Sequence, residues 1–234
     1  MKIEVLDHGY VEFIEAWGRG RPEGAIVVDD LECGIIEAAR QSTQGTFRGW
    51  EQDEKLLKYL YDHKHATPFE FAGMVIEVQA PIFVFREWQR HRTQSYNEMS
   101  ARYEPLPDLY YVPTLERVMM QSGKQGGNEQ PLKEAWAKVF INNTRSRYAA
   151  WQEGYECELG WGIPKELARI GMPVGHYSRM RASANLRNWL AFLTLRMDPA
   201  AQWEIRQYAN AVFQLIQQFF PRTAKLFQGE WNHA

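Results

Sequence analysis

Nine of this chain's arginines fall in two short windows that contain no lysine. Arg86, Arg90, Arg92 and Arg102 occupy the first, and Arg169, Arg179, Arg181, Arg187 and Arg196 the second. The whole chain holds 18 Arg and 9 Lys, which together make the 27 basic residues, so half of the arginine is concentrated in this way. A guanidinium is planar and permanently charged, and its fork of N–H donors matches a phosphate, a carboxylate or a pyrimidine carbonyl edge. Lysine would supply charge with less geometry. The first window runs into Arg90-His91-Arg92-Thr93-Gln94-Ser95-Tyr96-Asn97-Glu98-Met99-Ser100-Ala101-Arg102-Tyr103. Its polar density is too high for a buried segment. Arg, His, Ser, Asn and Glu in one short run are the groups that bind a nucleotide. The plainer alternative is a solvated loop entering a helix with Arg–Glu pairs on its face.

Other reactive types carry less. The two cysteines, Cys33 and Cys157, form no CxxC pair and both sit beside glutamate. An activated thiol needs a cationic neighbour or a helix N-terminus, so both read as structural. Ser100 has no His or Lys placed by sequence to deprotonate it, which favours a binding role. His63 and His65 make an HxH pair, but no further ligand spacing supports a metal site.

The elements that must position these groups follow from periodicity and caps. Residues 2–6 read as a short strand. Residues 29–41 read as a helix, with Asp29 and Asp30 at its N-terminus. In 51–63, Leu56, Leu57, Leu60 and Tyr61 recur at helical spacing. Thr67 and Glu70 form a capping box, with Pro68 at the first helical position. Residues 73–79 read as a strand and Pro81 to about Trp88 as a helix. Ser95 and Glu98 form a second capping box. Residues 104–131 look like a connector, and 121–127 like a mobile surface loop. Helices are expected over 132–158 and from Pro164. Residues 174–183 should form a half-exposed strand on which Arg179 and Arg181 alternate with apolar residues, before helices at about 185–197 and 200–219. This order lacks regular βαβ alternation and predicts an α/β protein of the α+β type. No repeat or domain boundary is visible, so residues 1–234 are expected to form a single domain.

Composition narrows the function classes. The chain is 45% hydrophobic, 14% aromatic and 24% charged, with a net charge of −2. Disorder is excluded by that aromatic content, and bulk nucleic-acid binding lacks its usual basic excess. No apolar run reaches the roughly 18 residues needed to span a bilayer. No export signal is visible in MKIEVLDHGY. A soluble cytoplasmic protein, with neither membrane nor nucleic acid as partner, is the expectation. Nine Trp is high for this length and points to a well-packed core or a subunit interface.

The run RHRTQSYNEMSARY strongly resembles the RHRxxSxNExSxRY signature of flavin-dependent thymidylate synthase. The resemblance continues in His65-Ala66-Thr67-Pro68-Phe69-Glu70 and Ala80-Pro81-Ile82-Phe83. Downstream it takes in Glu166-Leu167-Ala168-Arg169, Asn185-Leu186-Arg187, Leu195-Arg196 and the segment near 201–205. It implies an α/β fold assembled as a homotetramer with sites shared between subunits. It implies a methyltransferase that converts deoxyuridine monophosphate (dUMP) to deoxythymidine monophosphate (dTMP). Methylenetetrahydrofolate gives the carbon, NADPH-reduced FAD gives the hydride, and tetrahydrofolate is the by-product. The same resemblance assigns His65, Thr67, Glu70, Arg90, His91, Arg92, Asn97, Glu98, Asn185 and Arg187 to FAD. It assigns Glu87, Arg90, Glu98, Met99, Ser100, Ala101, Arg102, Arg169 and Arg196 to the substrate nucleotide. Arg196 is placed against the uracil ring as the catalytic group, favouring its ionised form.

Two residues depart from the pattern: Glu87 stands where Gln is expected, and Ala191 where Asn or His is expected. An acid near a nucleotide phosphate repels it, though it can accept from a ribose hydroxyl or the uracil N–H. Ala191 removes one hydrogen bond to flavin. Independently of the family, Arg187 and Arg196 are nine residues apart, so on one helix they point to roughly opposite faces. They should not meet one ligand group from one side in one subunit. Two competing classes remain: an Arg-rich RNA-binding module, which the net charge opposes, and a related flavoprotein using another pyrimidine nucleotide, with Glu87 altering the choice.

Overall fold

A computed structural model describes residues 1–18, 30–43, 45–105, 107–120 and 132–231. The expected surface loop at 121–127, and Asp29 of the expected first helix, lie outside the described residues. The chain builds β1 (Lys2–Val5), β2 (Gly9–Trp17), α1 (Cys33–Ala39), α2 (Trp50–Asp62), a 3₁₀-helix (Thr67–Phe71), β3 (Gly73–Pro81), α3 (Ile82–Trp88) and β4 (Ser95–Glu98). It continues with α4 (Leu115–Met119), α5 (Glu134–Gly160), α6 (Lys165–Ala168), a 3₁₀-turn (Arg169–Gly171), β5 (Tyr177–Asn185), α7 (Leu186–Arg196), α8 (Trp203–Phe219) and α9 (Pro221–Trp231). The mixed α+β class is as expected. Among the described residues no helix is long and apolar enough to cross a membrane.

The strands form one antiparallel sheet in the order β1-β2-β3-β5-β4. Along β3 and β5, buried and outward residues alternate with the period of a sheet covered on one face. Met74, Ile76, Val78 and Ala80 of β3 and Met180, Ala182 and Ala184 of β5 are buried in the core. Helices α7 and α8 supply the opposing layer through Leu186, Trp189, Phe192, Leu193, Ile205, Tyr208, Val212 and Ile216. Trp88 of α3 stacks on Phe192 at 4.6 Å and meets Trp189 edge-on. The other face of the sheet carries Glu77, Arg179, Arg181, Ser95 and Asn97, in intermediate or exposed positions. Arg179 and Arg181 thus sit as predicted, on a strand with one wet face.

Two sequence expectations are corrected. Ser95–Glu98 is not a helix entry but the edge strand β4, paired antiparallel with β5 from Ser95↔Ser183 to Glu98↔Met180. Tyr96 decides the outcome: it faces the core side, and its hydroxyl donates to the carbonyls of Trp88 and His91 at 3.2 and 2.7 Å. The Thr67–Glu70 capping box is also unformed; Ala66 holds the cap position without a side-chain bond. Glu70 instead pairs with Arg187. Three elements had gone unread: β2, the short α4 within the expected connector, and α9, which packs against α2 and α8.

Helix α9 is anchored by charge. The wholly buried Glu32 carboxylate accepts from the backbone N–H of Arg222 (3.0 Å) and Thr223 (2.7 Å), in the first turn of α9. A negative charge there satisfies free donors and complements the helix dipole. Arg222 completes the latch by pairing with Asp30 at 2.8 Å and lying over the Trp50 ring.

Candidate active site

Three clusters of side chains gather the sequence-predicted residues. The first surrounds the N-terminus of α7. The end of α2 closes with backbone bonds from His65 N to Leu60 O (2.8 Å) and from Lys64 N to Tyr61 O (3.1 Å). Lys64, at φ 58°, takes the left-handed position usually filled by glycine. This turn presents His65 and Thr67 to solvent at the start of the 3₁₀-helix. Glu70 from that helix meets Arg187 of α7. Asn185 ends β5 and caps α7, its Oδ1 accepting from Asn188 N at 2.9 Å. His65, Ala66 and Arg187 line two adjoining hollows of about 180 and 530 Å³. The smaller is otherwise mostly apolar, with Leu60, Tyr61, Phe69, Leu190, Ala191 and Phe227 in its wall.

The second cluster lies at the other end of α7. Arg196 Nη1 donates to Glu87 Oε2 at 2.8 Å, Nη2 to the Glu87 carbonyl at 2.9 Å, and Nε to His91 Nε2 at 2.8 Å. Burial first, and the Arg196 charge second, hold the His91 imidazole down at about 4. It is therefore the neutral ring whose Nε2 can accept from Arg196. The turn carrying Arg90, His91 and Arg92 is tied on both sides. Trp88 Nε1 donates to Gln94 Oε1 at 3.0 Å, and Asn188 Nδ2 donates to Thr93 O at 3.0 Å. Arg90 and Arg92 project from it, exposed and without an ion pair to any described residue.

The third cluster joins the end of the signature to α6. Met99 N donates to Arg179 O at 2.8 Å, and Ala101 is buried, which fixes the backbone of the run. Ser100 Oγ accepts from Arg102 N at 3.3 Å; it orders a turn and has no base bonded to it among the described residues. Arg102 pairs with Glu166 of α6 at 3.2 Å, and half-buried Arg169 follows directly after α6.

The structure does not bring all the predicted residues to one point within the protomer. Asn97 is paired with Arg181 and Glu98 with Met180, so the two neighbours emerge on opposite faces of the sheet. Glu98 lies on the helix-covered side, where Gln89 Nε2 donates to it at 3.1 Å. Arg187 and Arg196 meet different partners at the two ends of α7, roughly 14 Å apart along its axis, as their spacing foretold. Sequence reasoning missed Gln89, Asn188 and Thr93, which orient the signature turn. Asn188 could have been found as the N3 partner of an Asn cap. Cys33 is buried, and burial followed by the Asp30 charge pushes its thiol up to about 12, so it is no nucleophile. Among the described residues no group of His, Cys, Asp and Glu could hold a metal.

A sheet edge with an arginine-rich turn, and an arginine held by a glutamate at each end of one helix, suits a ligand with anionic groups. The comparisons narrow that class. A family model described as "Thymidylate synthase complementing protein" matches residues 28–222. "Flavin-dependent thymidylate synthase" of Dictyostelium discoideum is 37% identical over 231 residues, 97% of this chain and 73% of that protein. "Flavin-dependent thymidylate synthase" of Thermotoga neapolitana is 36% identical over 227 residues, 97% of this chain and 94% of its own. A solved structure of the UMP/dUMP methylase PolB from Streptomyces cacaoi, bound with 5-Br dUMP, matches with a TM-score of 0.82. It is 30% identical, and the match covers 97% of both chains.

The chain belongs to the flavin-dependent thymidylate synthase family. Membership carries the family's chemistry: FAD as cofactor, NADPH and methylenetetrahydrofolate as co-substrates, and methyl transfer to dUMP. The residues present fit a flavin dinucleotide. Exposed guanidinium forks at Arg90 and Arg92 suit a pyrophosphate, and the two adjoining hollows beside His65 and Arg187 together suit a flat ring system.

Proposed function

We propose that the Arg196–Glu87–His91 cluster marks where the uracil ring of dUMP is methylated, and that the protein makes dTMP as a cytoplasmic enzyme with the whole chain acting as one unit. The observation carrying this reading is the fixed Arg196 guanidinium. Only 16% of its side chain is exposed, and three of its N–H donors are held by neighbours, leaving one on each terminal nitrogen. A cation so fixed stabilises negative charge developing on a pyrimidine ring without reorganising. FAD, when bound, supplies the hydride that reduces the transferred carbon unit to a methyl group.

The remaining roles follow the family resemblance. His65, Thr67, Glu70, Asn185 and Arg187 make up one flavin-binding group, and Arg90, His91, Arg92, Asn97 and Glu98 of the signature make up another, brought to the same flavin only across subunits. Arg90, Glu98, Met99, Ser100, Ala101, Arg102 and Arg169 hold the nucleotide, and Arg102 and Arg169 suit its phosphate. Asn97 and Glu98 emerge on opposite faces of β4, so one flavin cannot take both from the same side of one protomer. A homotetramer with composite sites resolves this. Exposed apolar residues on the α5–β5 segment, with Trp161 and Ile170 each 78% exposed, supply a surface for it. Nucleic acid is disfavoured as a partner by the net charge of −2.

Likeness to a methylase of both UMP and dUMP favours a second reading, in which UMP is accepted too. Purified protein should carry flavin absorbance and turn over dUMP. Arg196→Ala should keep the fold and flavin but lose roughly 10²–10³-fold in kcat. Retained turnover in that variant would refute the role of Arg196, and equal turnover of UMP would replace dUMP specificity with the second reading.

A further inference from the structure

We propose that Glu87 acts through Arg196 rather than on the nucleotide: its carboxylate holds the guanidinium in place and offsets its charge, setting how strongly the site favours an ionised pyrimidine. This rests on the reading of Arg196 given above. Resemblance assigns Glu87 to the substrate, but the geometry gives it a different partner. Both its side-chain Oε2 and its backbone carbonyl, at 2.8 and 2.9 Å, accept from the two terminal nitrogens of the same guanidinium. That carbonyl belongs to the last turn of α3, where free helix carbonyls concentrate partial negative charge. The third donor, Nε, is taken by a neutral imidazole that adds no charge. Arg196 therefore sits with one full and one partial negative charge against its single positive one.

Among the described residues, the charged and titratable groups facing Arg196 come from three places: Glu87 on α3, His91 on the turn after it, and Tyr96 on β4. Burial keeps the imidazole neutral and raises the Tyr96 phenol, so Glu87 is the one anionic counterweight among them. Glutamine, the residue expected here from the resemblance, keeps a side-chain carbonyl that can accept from Nη1 and carries no charge. The acid in its place leaves the hydrogen bond intact and offsets part of the positive charge. Some 43% of the Glu87 side chain is exposed, so water screens the effect without abolishing it.

The test uses the flavin-loaded protein without reductant and 5-fluoro-dUMP, whose ¹⁹F shift reports ionisation of the bound ring. Glu87→Gln should lower the apparent ring pKa by roughly one unit, so that about tenfold more anion is bound at a given pH below it. Glu87→Ala should shift it in the same direction, because the His91 ring and the residue-87 carbonyl still hold the guanidinium. A merely structural Glu87 would alter flavin retention and thermal stability and leave ring ionisation where it was. An unmoved or raised ring pKa in both variants overturns the proposal. Arg196→Ala separates the two levels of the account. If that variant ionises the bound ring as well as the parent does, the reading of Arg196 falls and takes the proposal with it. If Arg196→Ala abolishes the shift and the Glu87 variants do not move it, the proposal alone falls. A parent that does not bind 5-fluoro-dUMP overturns both.

Discussion

Arg196, the group proposed to act at the uracil ring, is held in part by an acid-sensitive contact. His91 accepts from Arg196 Nε only while its Nε2 is unprotonated, and the fold holds its pKa near 4, below the usual value of about 6.5. The unfolded chain therefore binds this proton between those limits and the folded chain does not. The sign follows: stability from this source is complete above about pH 6.5 and is lost as pH falls towards 4. His91→Gln offers Arg196 an amide oxygen that does not titrate. The parent should lose more Tm than this variant between pH 6.5 and 4.5 when melting is followed at each pH; parallel losses would show that His91 is not the group responsible. At this scale the sequence was informative about identity and weak about partnership. It marked Arg187, Arg196, Glu70 and Glu87 as site residues but could not show that Glu70 meets Arg187 or that Glu87 meets Arg196. Those pairs span 117 and 109 positions and depend on how α7 lies across the sheet.

At the scale of elements, strong local periodicity was decisive and weak periodicity was not. β3 and α2 appear close to where their patterns place them, because alternation and helical spacing each bury one continuous face. β4 was misread because Ser-x-x-Glu is locally a helix start, whereas the ladder to β5 and the core-side Tyr96 override that preference. α9 was missed although Ala224 and Phe227 enter the core, and its anchor on buried Glu32 is set by a contact 190 positions away. The turn after α2 gives a test at this scale. Lys64 occupies a left-handed conformation that a β-carbon disfavours, and this turn aims His65. Lys64→Gly should relieve that strain and raise Tm by about 1–4 °C with flavin content unchanged. An unchanged or lower Tm in a melting experiment would show that lysine's other contacts outweigh the backbone cost.

The whole protomer leaves its site in pieces. Arg187, proposed for flavin, and Arg196, proposed for uracil, sit at opposite ends of α7, the signature strand offers side chains to both faces of the sheet, and Arg169 lies beside an exposed apolar segment. The sequence carried this in one respect, the nine-residue spacing of Arg187 and Arg196, and in another it did not. Nine Trp suggested either a core or an interface, and the structure divides them, with Trp88 and Trp189 fully buried and Trp136 and Trp161 exposed. Composite sites require that the exposed set be covered by a second copy. Ile170→Asp places a charge on that surface at little cost to the protomer. It should dissociate the assembly in light scattering and lower turnover by at least about tenfold while leaving the circular dichroism spectrum intact. A variant that stays assembled and active would remove this segment from the interface.

The central claim is that this protein is a flavin-dependent methyltransferase acting on dUMP, with Arg196 at the ring. It is tested most directly by following dTMP formation from dUMP in the presence of methylenetetrahydrofolate, NADPH and FAD, omitting each in turn. The account predicts dTMP in the complete mixture, none without methylenetetrahydrofolate or NADPH, and none from flavin-stripped protein until FAD is restored. Formation of dTMP by the flavin-stripped protein, or its absence from the complete mixture, would contradict it.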